Sequence, residues 1–191
     1  MPPRYPSEEN LSLQKADDSR LVALVQSGSL DAFDEIDRRY RGKLRVFLLR
    51  YTGSSEEAEE WVQMALIRAF RAIGQLRAQE KLSSWLYAIA FRTAAGESRK
   101  KRPVSRCALE RIDPHSDPSE LVDRRERKIN LWKIARRVLD ADQHAALWLR
   151  YVEGHSIRQI AKVMHRTRVS VRVLLYRARK RLAPYLEDPR F

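Results

Sequence analysis

The sequence predicts an all-α protein: two helical domains joined by a flexible linker, the C-terminal one with a helix-turn-helix. Three observations predict it. Apolar residues recur at steps of three and four along most of the 191 residues, and no alternating strand pattern survives comparison with that period. Glycine is scarce, at 6. A polar stretch holding Pro103, Pro114 and Pro118 interrupts the periodicity once.

The elements follow in order. Residues 1–16 are polar, carry three prolines, and are expected to be a disordered tail. From Asp17, Leu21, Leu24 and Val25 give a first helix a short apolar face, which "SGS" at Ser27–Ser29 breaks. Ala32, Phe33, Ile36, Tyr40, Leu44, Phe47, Leu48 and Tyr51 then mark one side of a long amphipathic helix. Gly53 suits its stop, and Ser54 with Glu57 three residues later fits a capping box. Ala58, Trp61, Val62, Ala65, Leu66, Ala69, Phe70 and Ile73 form the next buried stripe. After a looser segment, a fourth helix starts near Ser83 or Ser84, with Trp85, Leu86, Ile89 and Ala90 inward, and ends in "RKKRP". The first domain is therefore 17–102 and the linker 103–119.

The second domain, 120–187, begins with a helix whose inward residues include Leu121, Ile129, Trp132, Ala135 and Leu139. Asp140 caps the following helix, with Ala145, Ala146, Trp148, Leu149 and Val152 inward, and Gly154 stops it. Ser156 and Gln159 form a second capping box. Ile157, Ile160, Ala161 and Met164 are that helix's buried side, "HRT" turns the chain, and Thr167 is the N-cap of a last helix. There Val171, Leu174, Leu175, Ala178 and Leu182 face inward, while Arg168, Ser170, Arg172, Arg177, Arg179 and Lys180 stay outside.

Charge points to the partner. The formal net charge is +13, which suggests a polyanionic partner, either nucleic acid or a membrane surface. In a helix-turn-helix, the second helix enters the major groove and offers its N-terminal side chains to base edges. Arginine there donates twice to guanine or neutralises phosphate. The bland reading is a solvated helical hairpin kept soluble by its arginines. The lone Cys107 forms no disulfide within one chain, so a reducing, cytoplasmic setting is expected. No run approaches the roughly 20 apolar residues of a membrane span. The four histidines show no metal-ligand spacing with one another or with Cys107. No nucleophile–base set and no phosphate-binding loop is present, so neither enzyme, cofactor nor metal is expected.

Four stretches in order carry a family resemblance over about residues 17–186. They are "SGSLDAFDEIDRRY", "EEAEEWVQMALIRAF", "LSSWLYAIAFRTAAGESRKKR" and "LDADQHAALWLRYVEGHSIRQIAKVMHRTRVSVRVLLYRARKRL". Together they resemble an extracytoplasmic-function sigma factor of the sigma-70 family. The resemblance implies an alternative sigma factor that binds core RNA polymerase, through the β′ clamp helices and the β flap. It would direct the polymerase to promoter DNA and help open it, under control of an anti-sigma factor. By resemblance, Glu60, Gln63 and Met64 meet the polymerase. Arg92, Arg99, Lys100 and Lys101 lie against the −10 element, and a flipped base sits in the loop from Gly74 to Leu82. Thr167, Arg168, Ser170, Arg172, Val173 and Arg177 meet the −35 element. Four positions depart from the family pattern: Glu60 stands for the usual Asp, Arg92 for Asn, Gly96 for Asp, and His165 for the turn glycine.

Each site has an ordinary alternative. The Glu60 face could be a solvated helix surface, and the cations Arg99 to Arg102 also suit a helix C-terminus. Trp61 and Trp85, on apolar stripes, read as core rather than as base-stacking platforms. The rivals for the whole chain are a dimeric helix-turn-helix regulator acting without core polymerase and a pure interaction protein that only titrates polymerase or another regulator.

Overall fold

The computed structural model describes residues 8–52, 54–77, 79–100, 131–132, 134–135 and 137–186. Helices α1 (Glu8–Lys15), α2 (Asp18–Gln26), α3 (Leu30–Thr52), α4 (Ser55–Ala72) and α5 (Leu82–Lys100) come first, with a 3-10 turn at Ile73–Gln75. Helices α6 (Ala141–Tyr151), α7 (Ile157–Val163) and α8 (Arg168–Leu186) follow. No strand occurs among the described residues. The chain divides into two compact units, with the main break between Ser98 and Arg99.

In the first unit, helix starts are set by side chains that satisfy otherwise orphaned N–H groups. Asp17 accepts from the Arg20 N–H at 2.7 Å, and Ser54 from the Glu57 N–H at 3.3 Å. The α2–α3 corner turns on Gly28, at φ +102, which lets Ser29 N–H reach back to Leu24 C=O. The core is then built from the predicted stripes and from Tyr87 of α5, which they did not include. Ile36, Tyr40, Leu44, Phe47 and Leu48 of α3 are buried, as are Trp61, Val62 and Leu66 of α4 and Leu86, Tyr87 and Ile89 of α5. Burying each such side chain stabilises the fold by about 1.5–3 kcal/mol. Phe47 meets Tyr87 edge-on at 5.1 Å.

Three expectations need correction here. The tail expected to be disordered over 1–16 contains α1. Arg39 holds it, donating to the carbonyls of Leu13 and Gln14 at 2.9 Å each. Phe70, placed in the buried stripe, is 43% exposed. It lies about 100° around the helix from the buried Ala69, at the stripe's edge, and packs edge-on against Phe33 at 4.9 Å. Leu24, Phe33, Tyr51 and Trp85 are half-buried rather than inward. One buried charge also appears that periodicity does not announce. Glu35, 6% exposed, accepts from Arg38 at 2.7 and 2.8 Å and from Arg39 at 2.6 Å. Those guanidiniums, Arg38 first, hold its carboxyl below the ordinary value despite the opposing effect of burial.

In the second unit the described residues between 131 and 138 are helical, and Trp132 meets Trp148 at 5.1 Å and His144 at 5.4 Å, both edge-on. The expected helix residues 120–130 lie outside the described residues. Asp140 caps α6 through the Gln143 N–H at 2.8 Å. Val152, expected inward, is 44% exposed, just past the end of that helix. Ser156 and Gln159 cap α7 reciprocally: Gln159 Oε1 accepts from Ser156 N–H at 2.8 Å, and Ser156 Oγ from Gln159 N–H at 3.3 Å. Ile160, Ala161 and Met164 are buried as expected, but so is Val163, while Ile157 is half-buried. The turn passes through His165 at φ +51, the left-handed conformation expected at the glycine position. Thr167 Oγ1 then accepts from Ser170 N–H at 3.1 Å and opens α8. Val171, Leu175, Ala178 and Leu182 are buried and Leu174 is half-buried. Arg181 donates to Gln143 Oε1 at 3.0 Å, tying α8 to α6.

Candidate polymerase and nucleic-acid interfaces

The face of α4 turned away from its core carries Glu60 and Gln63, both exposed, with Met64 half-buried beside them. Their neighbour Glu59 is occupied: Arg41 donates to it at 2.9 Å and Arg45 lies 3.4 Å away. Arg41 is itself held by Asp37, first, and Glu59, so its pKa rises above the ordinary arginine value. Glu60 makes no hydrogen bond or ion pair among the described residues. Among the described residues, the Glu59 carboxylate is thus paired with two arginines and that of Glu60 is not. Exposed Ile67 and Phe70 continue the face along α4, one and two turns beyond Gln63. Phe70 was missed because its stripe-edge position reads as core.

On α5, Arg92 is exposed and makes no ion pair among the described residues. Half-buried Ala88, Ala95 and Gly96 lie near it on the helix, and a side chain at Gly96 would meet only open space. Arg92 thus stands among small neighbours on this face of α5. Arg99 and Lys100 close α5; Lys101 lies outside the described residues. Trp61, at 3% exposed, is core.

A cavity of about 500 Å³ lies beneath the loop after α4, lined by Asp18, Val22, Gln26, Leu76, Arg77 and Lys81 among others. Gln26 holds this loop in place, its amide donating to the carbonyls of Ile73 at 2.9 Å and Leu76 at 3.0 Å. Sequence reasoning missed Gln26, because the two carbonyls it meets are more than 45 residues away along the chain.

On α8, Arg168, Arg172, Val173 and Arg177 are exposed, Ser170 is half-buried, and Thr167 is exposed while serving as the cap. The structure therefore brings all six predicted residues onto or beside one helix. It adds Val169, also exposed, which sequence reasoning passed over. Among the described residues no cluster of His, Cys, Asp or Glu could hold a metal ion, and no helix is long and apolar enough to cross a membrane. Cys107 and His115 lie outside the described residues.

Known proteins align with this arrangement. Sigma-70 region 2 matches residues 36–103 and Sigma-70, region 4 matches residues 137–182. The RNA polymerase sigma-H factor of Pseudomonas aeruginosa is 31% identical over 195 residues, covering 92% of this chain and 99% of that one. The ECF RNA polymerase sigma-E factor of Haemophilus influenzae is 32% identical over 174 residues, covering 85% and 92%. Among solved structures, CnrH in complex with the cytosolic domain of CnrY matches with TM-score 0.64 at 19% identity, over 90% of this chain and 98% of that chain. The sigma factor RpoE of Bartonella quintana, in complex with the anti-sigma factor NepR, matches with TM-score 0.63 at 21% identity, over 84% and 99%. At these identities the two structures speak for the fold.

Proposed function

The chain belongs to the extracytoplasmic-function branch of the sigma-70 family and is an alternative sigma factor that directs RNA polymerase; from that premise we propose how its parts divide the work. Residues 17–102 bind the core enzyme and open the −10 region, 103–119 link, and 120–187 read the −35 element. Glu60, Gln63 and Met64 dock on the β′ clamp helices. The observation carrying this assignment is the contrast on α4: Glu59 is tied to Arg41 and Arg45, whereas Glu60 makes no hydrogen bond or ion pair among the described residues.

Arg92, Arg99, Lys100 and Lys101 hold the phosphates of the opening strand. The cavity pinned by Gln26 receives the flipped −10 base, whose unstacking costs a few kcal/mol and needs such a pocket to offset it. Arg168, Arg172, Val173 and Arg177 meet the −35 major groove, opened by the Thr167 cap, with Ser170 beside them. The second unit also contacts the β flap. The polymerase supplies the catalysis, and this chain works beside it in the cytoplasm. An anti-sigma factor would hold it inactive by covering these faces; the Bartonella quintana sigma factor RpoE is one that forms a complex with an anti-sigma factor. A dimeric regulator acting without polymerase is not favoured, since it has no use for a region 2.

The core-binding face is tested by affinity for purified core polymerase. Glu60→Arg should weaken binding tenfold or more, the scale of a charge reversed inside an interface, with helicity unchanged. Wild-type affinity in that variant would remove the face from the account.

A further inference from the structure

The outermost line of α8 is apolar. Val169, Val173 and Tyr176 are 66%, 40% and 60% exposed. Their spacing, four residues and then three, puts them one above another on the helix. This line lies opposite the buried line of Val171, Leu175, Ala178 and Leu182. Arg172 flanks it on one side and Arg177 on the other, both exposed. The helix that should be most polar for a polyanionic partner therefore presents hydrocarbon at its crest, with guanidiniums on its shoulders.

Single exposed valines need no explanation, but three apolar side chains in register do. Two occupants can be considered, a protein and a duplex. The centre of a protein interface is depleted in charge, and a protein covering this line would have to desolvate or pair Arg168, Arg172 and Arg177 beside it. Duplex DNA satisfies both features together. Its phosphates and guanine edges accept from the arginines, and its major groove carries one apolar group, the C5-methyl of thymine. Valine suits such a contact because its branched side chain is stiff at χ1, so its methyl groups are held rather than ordered on binding. Val169 and Val173 are separated by about 6 Å along the helix, which is about two base steps of 3.4 Å.

We propose that Val169 and Val173 read thymine methyl groups on base pairs two steps apart in the −35 element, between arginines that hold guanine or phosphate. The Tyr176 ring extends the same line toward the sugar–phosphate backbone. This deepens the reading of the second unit as the −35 reader and rests on it.

The test uses holoenzyme assembled from core RNA polymerase and the full chain. Promoter fragments it selects are remade with each −35 thymine replaced in turn by deoxyuridine, which removes only the methyl group. Competition binding is then measured at fixed salt. Binding should weaken about fourfold per methyl lost, the value of one buried methylene-sized group, at one or two positions and nowhere else. Val173→Ala or Val169→Ala should abolish that preference while core affinity stays unchanged. Equal binding of thymine and deoxyuridine promoters at every −35 position would overturn the proposal and leave the apolar line to a protein partner. So would selected −35 elements lacking thymine on both strands. Failure to select any promoter would overturn the proposal together with the reading beneath it.

Discussion

Arg68 on α4 donates to the hydroxyl of Thr93 on α5 across 2.8 Å, joining the helix that carries Glu60 to the helix that carries Arg92. Thr93 is fully buried, and its hydroxyl donates in turn to the Ile89 carbonyl at 2.9 Å. Both capacities of the hydroxyl are therefore used. Arg68 also lies 3.9 Å from Glu97, but it is half exposed, where such a pair contributes little.

Thr93→Val keeps the shape and removes the bond. Urea denaturation should show a loss of about 1 kcal/mol in the first unit. Arg68→Ala should give a similar loss, and the double variant should lose less than the sum. Full additivity would mean that the two residues act separately.

Among the described residues the same helix stop occurs twice, once with glycine and once without. After α2, Gly28 at φ +102 donates to Val25 C=O and Ser29 to Leu24 C=O. After α7, His165 at φ +51 donates to Lys162 C=O at 3.3 Å and Arg166 to Ala161 C=O at 3.0 Å. A left-handed non-glycine residue costs roughly 1–2 kcal/mol, partly returned by its smaller chain entropy. His165→Gly should therefore raise the stability of the second unit by about 0.5–1 kcal/mol in thermal melts. An unchanged or lower melting temperature would contradict that account of the turn.

How far the sequence could be read follows from the range of each interaction. The Ser156–Gln159 box and the Thr167 cap depend on residues within four positions, and both were legible; the turn at His165 was marked only through the family resemblance. The basic face of α8 was legible too, because buried Val171, Leu175 and Ala178 fix which side turns outward. Arg39 reaching Leu13, Gln26 pinning Ile73 and Leu76, and the Arg68–Thr93 bond depend on which helices become neighbours. Periodicity says which face is buried, not against what. Phe70 fell between these cases: its spacing fits the stripe, but the stripe's edge is only half covered.

The buried Glu35 makes a pH prediction. Its folded carboxyl lies below its ordinary value of 4.5, with Arg38 the leading cause. A depressed carboxylate adds stability above its unfolded pKa and loses it as pH falls through the folded one. Glu35→Gln should therefore be less stable than wild type at pH 7, and the difference should shrink as pH falls below about 4.5. Parallel pH profiles in urea denaturation would show that the ion pairs contribute nothing.

The reciprocal cap of α7 supports the helix on which α8 rests. Ser156→Ala should cost the second unit about 1 kcal/mol. Affinity for −35 DNA should be unchanged at temperatures where the unit stays folded, since Ser156 lies outside the proposed contact line. Loss of affinity in the folded variant would move the DNA-contact surface toward α7.

The central claim is that one chain supplies both attachment to the polymerase and the promoter address. Run-off transcription with purified core RNA polymerase and a pool of genomic promoter fragments, with and without this protein, tests it most directly. The account predicts discrete new transcripts that depend on the protein and disappear with Glu60→Arg or with Arg172→Ala and Arg177→Ala together. No new transcripts, with the protein binding duplex DNA by itself as a dimer, would contradict it.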